Sequence, residues 1–210
     1  MLKVLDLFCG AGGASKGYAE AGFEVTGIDV KHGKRYPFTY IRQSIEHVTV
    51  DFVREFDFIH ASPPCQTFSI TKNLRIAQGK QTYKQDWLPF TRDLLVASGK
   101  PYVIENVPGA PLIDPVLLCG SAFGLKVRRH RLFESNLPLK GTTCNHKEQG
   151  RPVGIYGSMK DEIPGGGRTA HSMDEAKAAM GIDWMIWGEL VEAIPPAYTK
   201  HIGLQVRAIL

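Results

Sequence analysis

The chain has 210 residues, is 43% hydrophobic and 22% charged, and carries a formal net charge of +4. That length and composition are ordinary for a globular protein and fit one domain with a small insertion, large enough to bury a core without disulfide or metal staples. The cysteines, Cys9, Cys65, Cys119 and Cys144, are widely spaced without a Cys-x-x-Cys pair, which points away from a zinc ribbon or a disulfide framework and towards a reducing compartment. No signal peptide is visible, and the apolar start Leu2–Phe8 is too short to span a bilayer and is interrupted by Lys3 and Asp6, so a cytoplasmic protein is expected.

Leu2–Phe8 is rich in strand formers and runs into Gly10, Gly12 and Gly13, a turn. A helix over about Ala14–Ala21 is stopped by Gly22. Glu24–Ile28 is a second strand ending at Asp29. Phe56–His60 is another, running into Ser62-Pro63-Pro64-Cys65; Pro64 cannot donate to a ladder, so the strand ends there and leaves Cys65 at its carboxyl tip. A helix near Asp86–Ala97 leads to the strand Tyr102–Glu105, and Val116–Cys119 and Arg131–Glu134 are short later strands. This alternation predicts a mostly parallel α/β sheet flanked by helices, in which ligands gather outside the carboxyl ends of the strands. The Gly turn, Asp29, Cys65 and Glu105 all fall at such ends.

Residues 136–171 differ, being rich in Gly, Pro, Lys and polar residues, with Pro164-Gly165-Gly166-Gly167 as a loop tip. They read as a small inserted module between a core over 1–135 and C-terminal helices over 172–210. Ser172-Met173-Asp174-Glu175 is a capping box opening a helix that Gly181 stops, and a last helix follows Pro195-Pro196. Positive charge is concentrated in two stretches: Lys72–Lys84 has four basic and no acidic residues, and Lys126–Arg151 has seven basic against Glu134 and Glu148. Together they hold +9, leaving −5 for the rest. Beside functional motifs they read as loops facing a polyanion rather than as solvated surface.

Three motifs carry chemistry. Phe8-Cys9-Gly10-Ala11-Gly12-Gly13 between strand and helix is a nucleotide-binding turn, where glycine admits close backbone approach and the helix start offers free N–H groups. It lacks the GxGxxG spacing and the GK[ST] ending, which demotes dinucleotides and ATP, and Asp29 is placed to accept from a ribose. Ser62-Pro63-Pro64-Cys65-Gln66 sets a cysteine beside a basic loop, a candidate thiolate nucleophile. Glu105-Asn106-Val107-Pro108 sets a carboxyl where it can bond and exchange a proton with a heterocycle nitrogen. Cys144 and His146, with His130 and His171 as further candidates, do not make a clear set of four ligands, so no metal is expected.

The motifs DLFCGAGG, SPPCQTFS and IENV, the pair Arg129/Arg131 around His130, and Ala193-Ile194-Pro195-Pro196, in this order from Leu2 to about Gly203, resemble those of the DNA cytosine-5 methyltransferases, in particular compact phage-borne members. The resemblance implies a Rossmann-like class I fold and S-adenosylmethionine as cofactor, held by Phe8, Gly10, Ala11, Gly12, Gly13, Asp29, Val30, Ser44, Ile45 and Pro64. It implies that Cys65 adds to C6 of a cytosine flipped out of double-stranded DNA, that Glu105 grips N3 and the amino group, and that Arg129 and Arg131 support the base. Gln66, Ser69, Asn106, Lys72 and Arg75 are expected on the substrate side, with Lys72–Lys84 as a lid. A monomer without membrane or obligate protein partner is expected.

Departures from the family pattern fall at Ser44, where an acidic residue near the adenine is usual, at Val127, where a Gln often precedes the arginines, and at Glu192, where an Asn is usual. The 36 residues between Ser135 and Ser172 are few for target recognition and imply a short or degenerate site. Rival readings are cytosine-5 methylation of tRNA, a cofactor-binding DNA-binding protein without turnover, and a Rossmann dehydrogenase, which the absent GxGxxG weakens.

Overall fold

The computed structural model describes residues 1–31, 33–64, 86–157 and 168–210. Its centre is a seven-stranded sheet ordered β3-β2-β1-β4-β5-β7-β6. The strands are β1 (Lys3–Leu7), β2 (Glu24–Asp29), β3 (Thr39–Arg42), β4 (Phe58–Ala61), β5 (Tyr102–Asn106), β6 (Val116–Leu118) and β7 (Arg131–Ser135). The first five run parallel, and β7 lies antiparallel to both β5 and β6. A parallel strand covered on both faces should be apolar throughout rather than alternating, and β1 and β4 are buried along almost their whole length. The helices among the described residues are α1 (Gly13–Glu20), α2 (Val50–Arg54), α3 (Trp87–Ser98), α4 (His146–Gln149), α5 (Met173–Met180), α6 (Trp187–Glu192) and α7 (Pro196–Ile209). None is long and apolar enough to cross a membrane.

Local signals set the element ends. Asp86 accepts from the Leu88 N–H at 3.0 Å to start α3, and Ser172 Oγ accepts from the Glu175 N–H at 3.1 Å to start α5. Left-handed Gly99 and Gly181 end these two helices, and Pro196 opens α7 at a position where its missing N–H costs nothing.

Two cores flank the sheet. One holds Tyr18, Phe23, Phe58, Phe133, Tyr198 and Ile202 beneath α1 and α7, and the other holds Leu5, Leu7, Ile59, Leu88, Leu95 and Ile104 beneath α2 and α3. A third joins Val127, Val153, Ile155, Ala176, Met180 and Leu190, so it straddles both module boundaries drawn from the sequence. It also accounts for Val127, which is fully enclosed there. β7 is locked to α3 by a bidentate ion pair, Arg92 Nε to Glu134 Oε1 at 2.8 Å and Arg92 Nη2 to Glu134 Oε2 at 2.7 Å.

α1 and α7 touch backbone to side chain. Thr199 Oγ1 donates to Ala14 O at 2.8 Å, Arg207 donates to Ala21 O at 2.6 Å, and a Cβ on Gly17 would run into Thr199 Oγ1 and Pro196 O. Gly17→Ala is therefore expected to destabilise the chain by roughly 1–3 kcal/mol through overpacking, read as a lower melting temperature in calorimetry. An unchanged melting temperature would contradict this contact.

Candidate active site

β1 and β4 are neighbours, with β2 and β3 on one side and β5 on the other. The chain order reverses between them, which places the ligand crevice of such sheets at their carboxyl tips. Phe8, Gly10 and Gly12, just past β1, all have left-handed backbone, with φ of 62°, 53° and 89°. Glycine takes this conformation freely; Phe8 does so at a cost, and such residues gather at functional sites. The curl is held from two sides: the Gly12 N–H donates to Cys9 O at 2.9 Å and the Gly10 N–H to Asp29 Oδ2 at 3.0 Å. The other Asp29 oxygen accepts from the Lys31 N–H at 2.9 Å, fixing the carboxylate at the tip of β2. Next to it Val30 is 56% exposed, an apolar face beside an anchored acid. A Cβ on Gly10 would meet no atom within 4 Å, so the turn has an open side for a ligand, while Gly13 packs under Ile194 and Ala11 O accepts from the Trp184 indole at 2.8 Å.

The departures at Ser44 and Glu192 have local counterparts. Ser44 Oγ donates to Glu46 Oε2 at 3.2 Å, bringing a carboxylate to the position where the pattern lacks one, and Ile45 beside it is buried. Glu192 pairs with Lys31 at 2.9 Å, and Glu189 pairs with Arg35 at 2.9 Å. Both pairs are partly exposed and individually weak, but they join α6 to the loop that leaves Asp29.

Beneath the turn, Asp6 is fully buried. Ser15 Oγ donates to its Oδ2 and lies 2.8 Å from the Tyr36 hydroxyl, while Asp6 Oδ1 has no partner. Burial pushes the Asp6 carboxyl up to about 7 despite the Ser15 bond. In the unfolded chain it titrates near 3.8, so between these values the folded state holds a proton the unfolded state lacks. This contribution favours folding below the lower value and is lost as pH rises through the higher one. Asp6→Asn removes the dependence. Its melting temperature relative to the parent is expected to be several degrees higher at pH 8 than at pH 5; equal differences at the two pH values would show that Asp6 ionises normally.

Glu105, at the end of β5, is 5% exposed. Arg131 Nε lies 2.9 Å from its Oε1, and Ser62 hydrogen-bonds its side chain. Burial raises the Glu105 carboxyl above its ordinary range, opposed by Arg131, Ser62 and Arg129. Behind Ser62 runs a buried chain: Ser62 Oγ to His60 Nε2 at 2.8 Å and His60 Nδ1 to the Tyr18 hydroxyl at 2.8 Å. Burial pushes His60 down to about 3, so its ring is neutral. An ionised Glu105 only accepts; Ser62 then donates to it, His60 donates from Nε2 to Ser62, and Tyr18 donates to Nδ1. Tyr18 and His60 belong to no motif in the sequence, and Ser62 stands there only as the first residue of the Cys65 motif.

The entry to the Cys65 loop is held at the same edge. The Ser62 N–H donates to Leu7 O at 3.1 Å, and the Asn106 amide donates to Pro63 O at 3.1 Å. Asn106, expected on the substrate side, is 2% exposed and also accepts from the Val107 N–H at 2.9 Å, so its described contacts tie Pro63 to the end of β5. Pro64 is the last described residue before it. Cys65, Gln66, Ser69, Lys72, Arg75 and the predicted lid lie outside the described residues.

The arginine pair divides. Arg131 faces Glu105. Arg129, expected beside it as a catalytic group, is 3% exposed and has φ of 36°. Its Nη1 donates to Leu190 O, Val191 O and Ala193 O at 3.2, 3.1 and 2.6 Å, and its Nη2 donates to Ile155 O at 2.8 Å. Burial pushes its guanidinium down to about 10, still charged at neutral pH, and the acceptors include the carboxyl end of α6, the favourable pole for a cation. Its contacts make it a fastener of the C-terminal part. Arg129→Met is expected to cost about 3 kcal/mol or more, because buried carbonyls lose their donors; denaturant unfolding with a midpoint equal to the parent's would refute this.

The expectation that four metal ligands do not converge also needs correction. Cys119, His130, Cys144 and His146 place their ligand atoms within 4.8 Å of one another. The fourth member is Cys119, and His171 is not among them.

Sheet order, strand directions and a glycine turn at the topological switch define a Rossmann-like methyltransferase fold. The chain belongs to the C-5 cytosine-specific DNA methylases, whose family model matches residues 2–111. Among curated relatives, the Type II methyltransferase M.FnuDI of Fusobacterium nucleatum is 30% identical over 118 residues, covering 51% of this chain and 33% of that protein. The Type II methyltransferase M.AgeI of Thalassovita gelatinovora is 29% identical over 124 residues, covering 51% and 28%. The matches thus span about a third of these relatives' length. Among solved structures, a protein described as a DNA modification methyltransferase encoded within a prophage (E. coli) superposes with a TM-score of 0.65 at 15% identity, over 99% of both chains. The Dnmt2 methyltransferase of S. pombe gives 0.62 at 13%, over 100% and 99%. These last two likenesses concern the fold.

Proposed function

We propose that the protein methylates carbon 5 of cytosine in double-stranded DNA, using S-adenosylmethionine and Cys65 as nucleophile. The observation that carries the reading is Glu105, a buried carboxyl held by Arg131 and Ser62 at the strand tip beside the one that leads into Cys65. The Gly10 turn and the anchored Asp29 fit the cofactor: an open backbone curl for the methionine part, a carboxylate with lone pairs left for ribose hydroxyls, and Val30 for the adenine face. Bound there, S-adenosylmethionine supplies an electrophilic methyl group on a sulfonium.

Cytosine C5 is a poor nucleophile while the ring is aromatic. The Cys65 thiolate adds to C6, and the electron pair moves toward C5 and N3. Glu105 hydrogen-bonds N3, and its raised proton affinity suits it to share a proton as negative charge develops there. Arg131 fixes the carboxyl and limits that rise. With the donor bound, C5 would take its methyl group while the S–CH3 electron pair stays on sulfur as a neutral thioether; a base then removes the C5 proton and the C6–S bond breaks, which frees Cys65 and restores the ring. A stacked base cannot reach such a pocket, so the nucleotide is flipped out, with exposed Lys126, Lys140 and Lys147 on the side of the basic stretch to meet phosphates.

The test is transfer of radiolabelled methyl from S-adenosylmethionine to unmethylated duplex DNA, with 5-methylcytosine identified in the digest. Label in 5-methylcytosine supports the reading; label in tRNA instead, or none with folded protein that binds the cofactor, overturns it.

A further inference from the structure

We propose that Cys119, His130, Cys144 and His146 bind one structural zinc ion that fastens the segment after β7 to the sheet. Cys119 follows β6, His130 immediately precedes β7, His146 opens α4 and Cys144 lies two residues before it, so three separate segments converge. Cys119 Sγ is 3.3 Å from His146 Nε2, and Cys144 Sγ is 3.3 Å from His130 Nε2. All four ligand atoms lie within 4.8 Å of one another. A tetrahedral zinc with ordinary Zn–S and Zn–N bonds separates its ligand atoms by about 3.3–3.8 Å, so small side-chain adjustments close the site. Two sulfurs and two imidazoles suit zinc rather than magnesium or calcium. With four protein ligands no position is left for substrate, which makes the role structural.

The surroundings fit a metal-held segment. Ser121 Oγ lies 3.1 Å from Cys119 Sγ and accepts from the Asn145 N–H at 2.9 Å, joining two ligand-bearing segments in an outer shell. α4 buries no residue of its own, so hydrophobic packing gives this stretch little reason to order, and metal binding is a direct source of folding free energy. His130 sits between Arg129, the fastener of the C-terminal part, and Arg131, the partner of Glu105. Zinc would therefore hold the backbone from which both arginines project.

The experiment is metal analysis by mass spectrometry of the full chain, purified without chelator. About one zinc per chain is expected, lost in Cys144→Ser/His146→Ala and kept in His171→Ala. To make the test independent of the double variant's folding, cobalt is also exchanged into the parent chain, where visible bands of tetrahedral thiolate-bound cobalt are expected. Zinc far below one per chain, zinc retained by a folded double variant, cobalt bands of an octahedral site, or a Cys119–Cys144 disulfide as the resting state would overturn the proposal. Metal content is read without methyl transfer, so a zinc-loaded chain with no methylation overturns the proposed function and leaves this site standing.

Discussion

Cys65→Ala is expected to lose methyl transfer by on the order of 10⁴-fold or more while still binding S-adenosylmethionine. Without addition at C6 the C5 atom stays within an aromatic ring and cannot attack a sulfonium at a useful rate; no other residue can replace a covalent step. A gel-stable adduct with DNA carrying 5-fluorocytosine, whose C5 substituent cannot leave as a proton, should form with the parent and be absent from the variant. Appreciable turnover by Cys65→Ala would remove the nucleophile from the mechanism.

Glu105→Gln should lower turnover by about 10²–10⁴-fold, the range for losing a positioned general acid–base group. Glutamine keeps the shape and can still hydrogen-bond N3 but cannot pass a proton. The same change leaves Arg131 without its carboxylate, so a modest fall in stability should accompany it. Ser62→Ala separates these effects: it removes one bond that favours ionised Glu105, and the relay to His60 and Tyr18 with it, but leaves the Arg131 pair. Its pH–rate profile should shift upward, with a smaller loss of rate. A Glu105→Gln variant within tenfold of the parent would make the carboxyl a structural partner of Arg131.

Much of the scaffold is legible in the sequence because its signals are local. Glycines mark the turn after β1, Pro63-Pro64 ends β4, Ser172 and Glu175 open α5, and Pro196 opens α7. The strand-end placement of Asp29 and Glu105 follows from those signals. What is hidden depends on register and on distant pairing. His60 and Tyr18 sit inside a strand and a helix, where a polar ring reads as a core residue until the hydrogen bonds to Ser62 are seen. Cys119, His130, Cys144 and His146 are too unevenly spaced to read as a ligand set. Arg128 and Arg129, counted toward a basic loop, are engaged by Gln149 and Gly150 and by buried carbonyls. Only the fold shows which arginines remain for a polyanion.

The packing of α7 on α1 has a consequence for the order in which the molecule matures on the ribosome. α1 extends directly from the glycine turn, and its buried face is completed by Thr199, Ile202 and Val206, almost two hundred residues later. The nascent sheet can begin to collapse once β1, β2 and β4 have emerged, but α1, which leads out of the glycine turn, keeps its apolar face open until synthesis has run past those residues. Distant closure of this kind slows folding and lengthens exposure of apolar surface. Chains truncated before residue 196 should therefore be captured by chaperones, which makes the support of the glycine turn a late event of synthesis rather than an early seed of the fold.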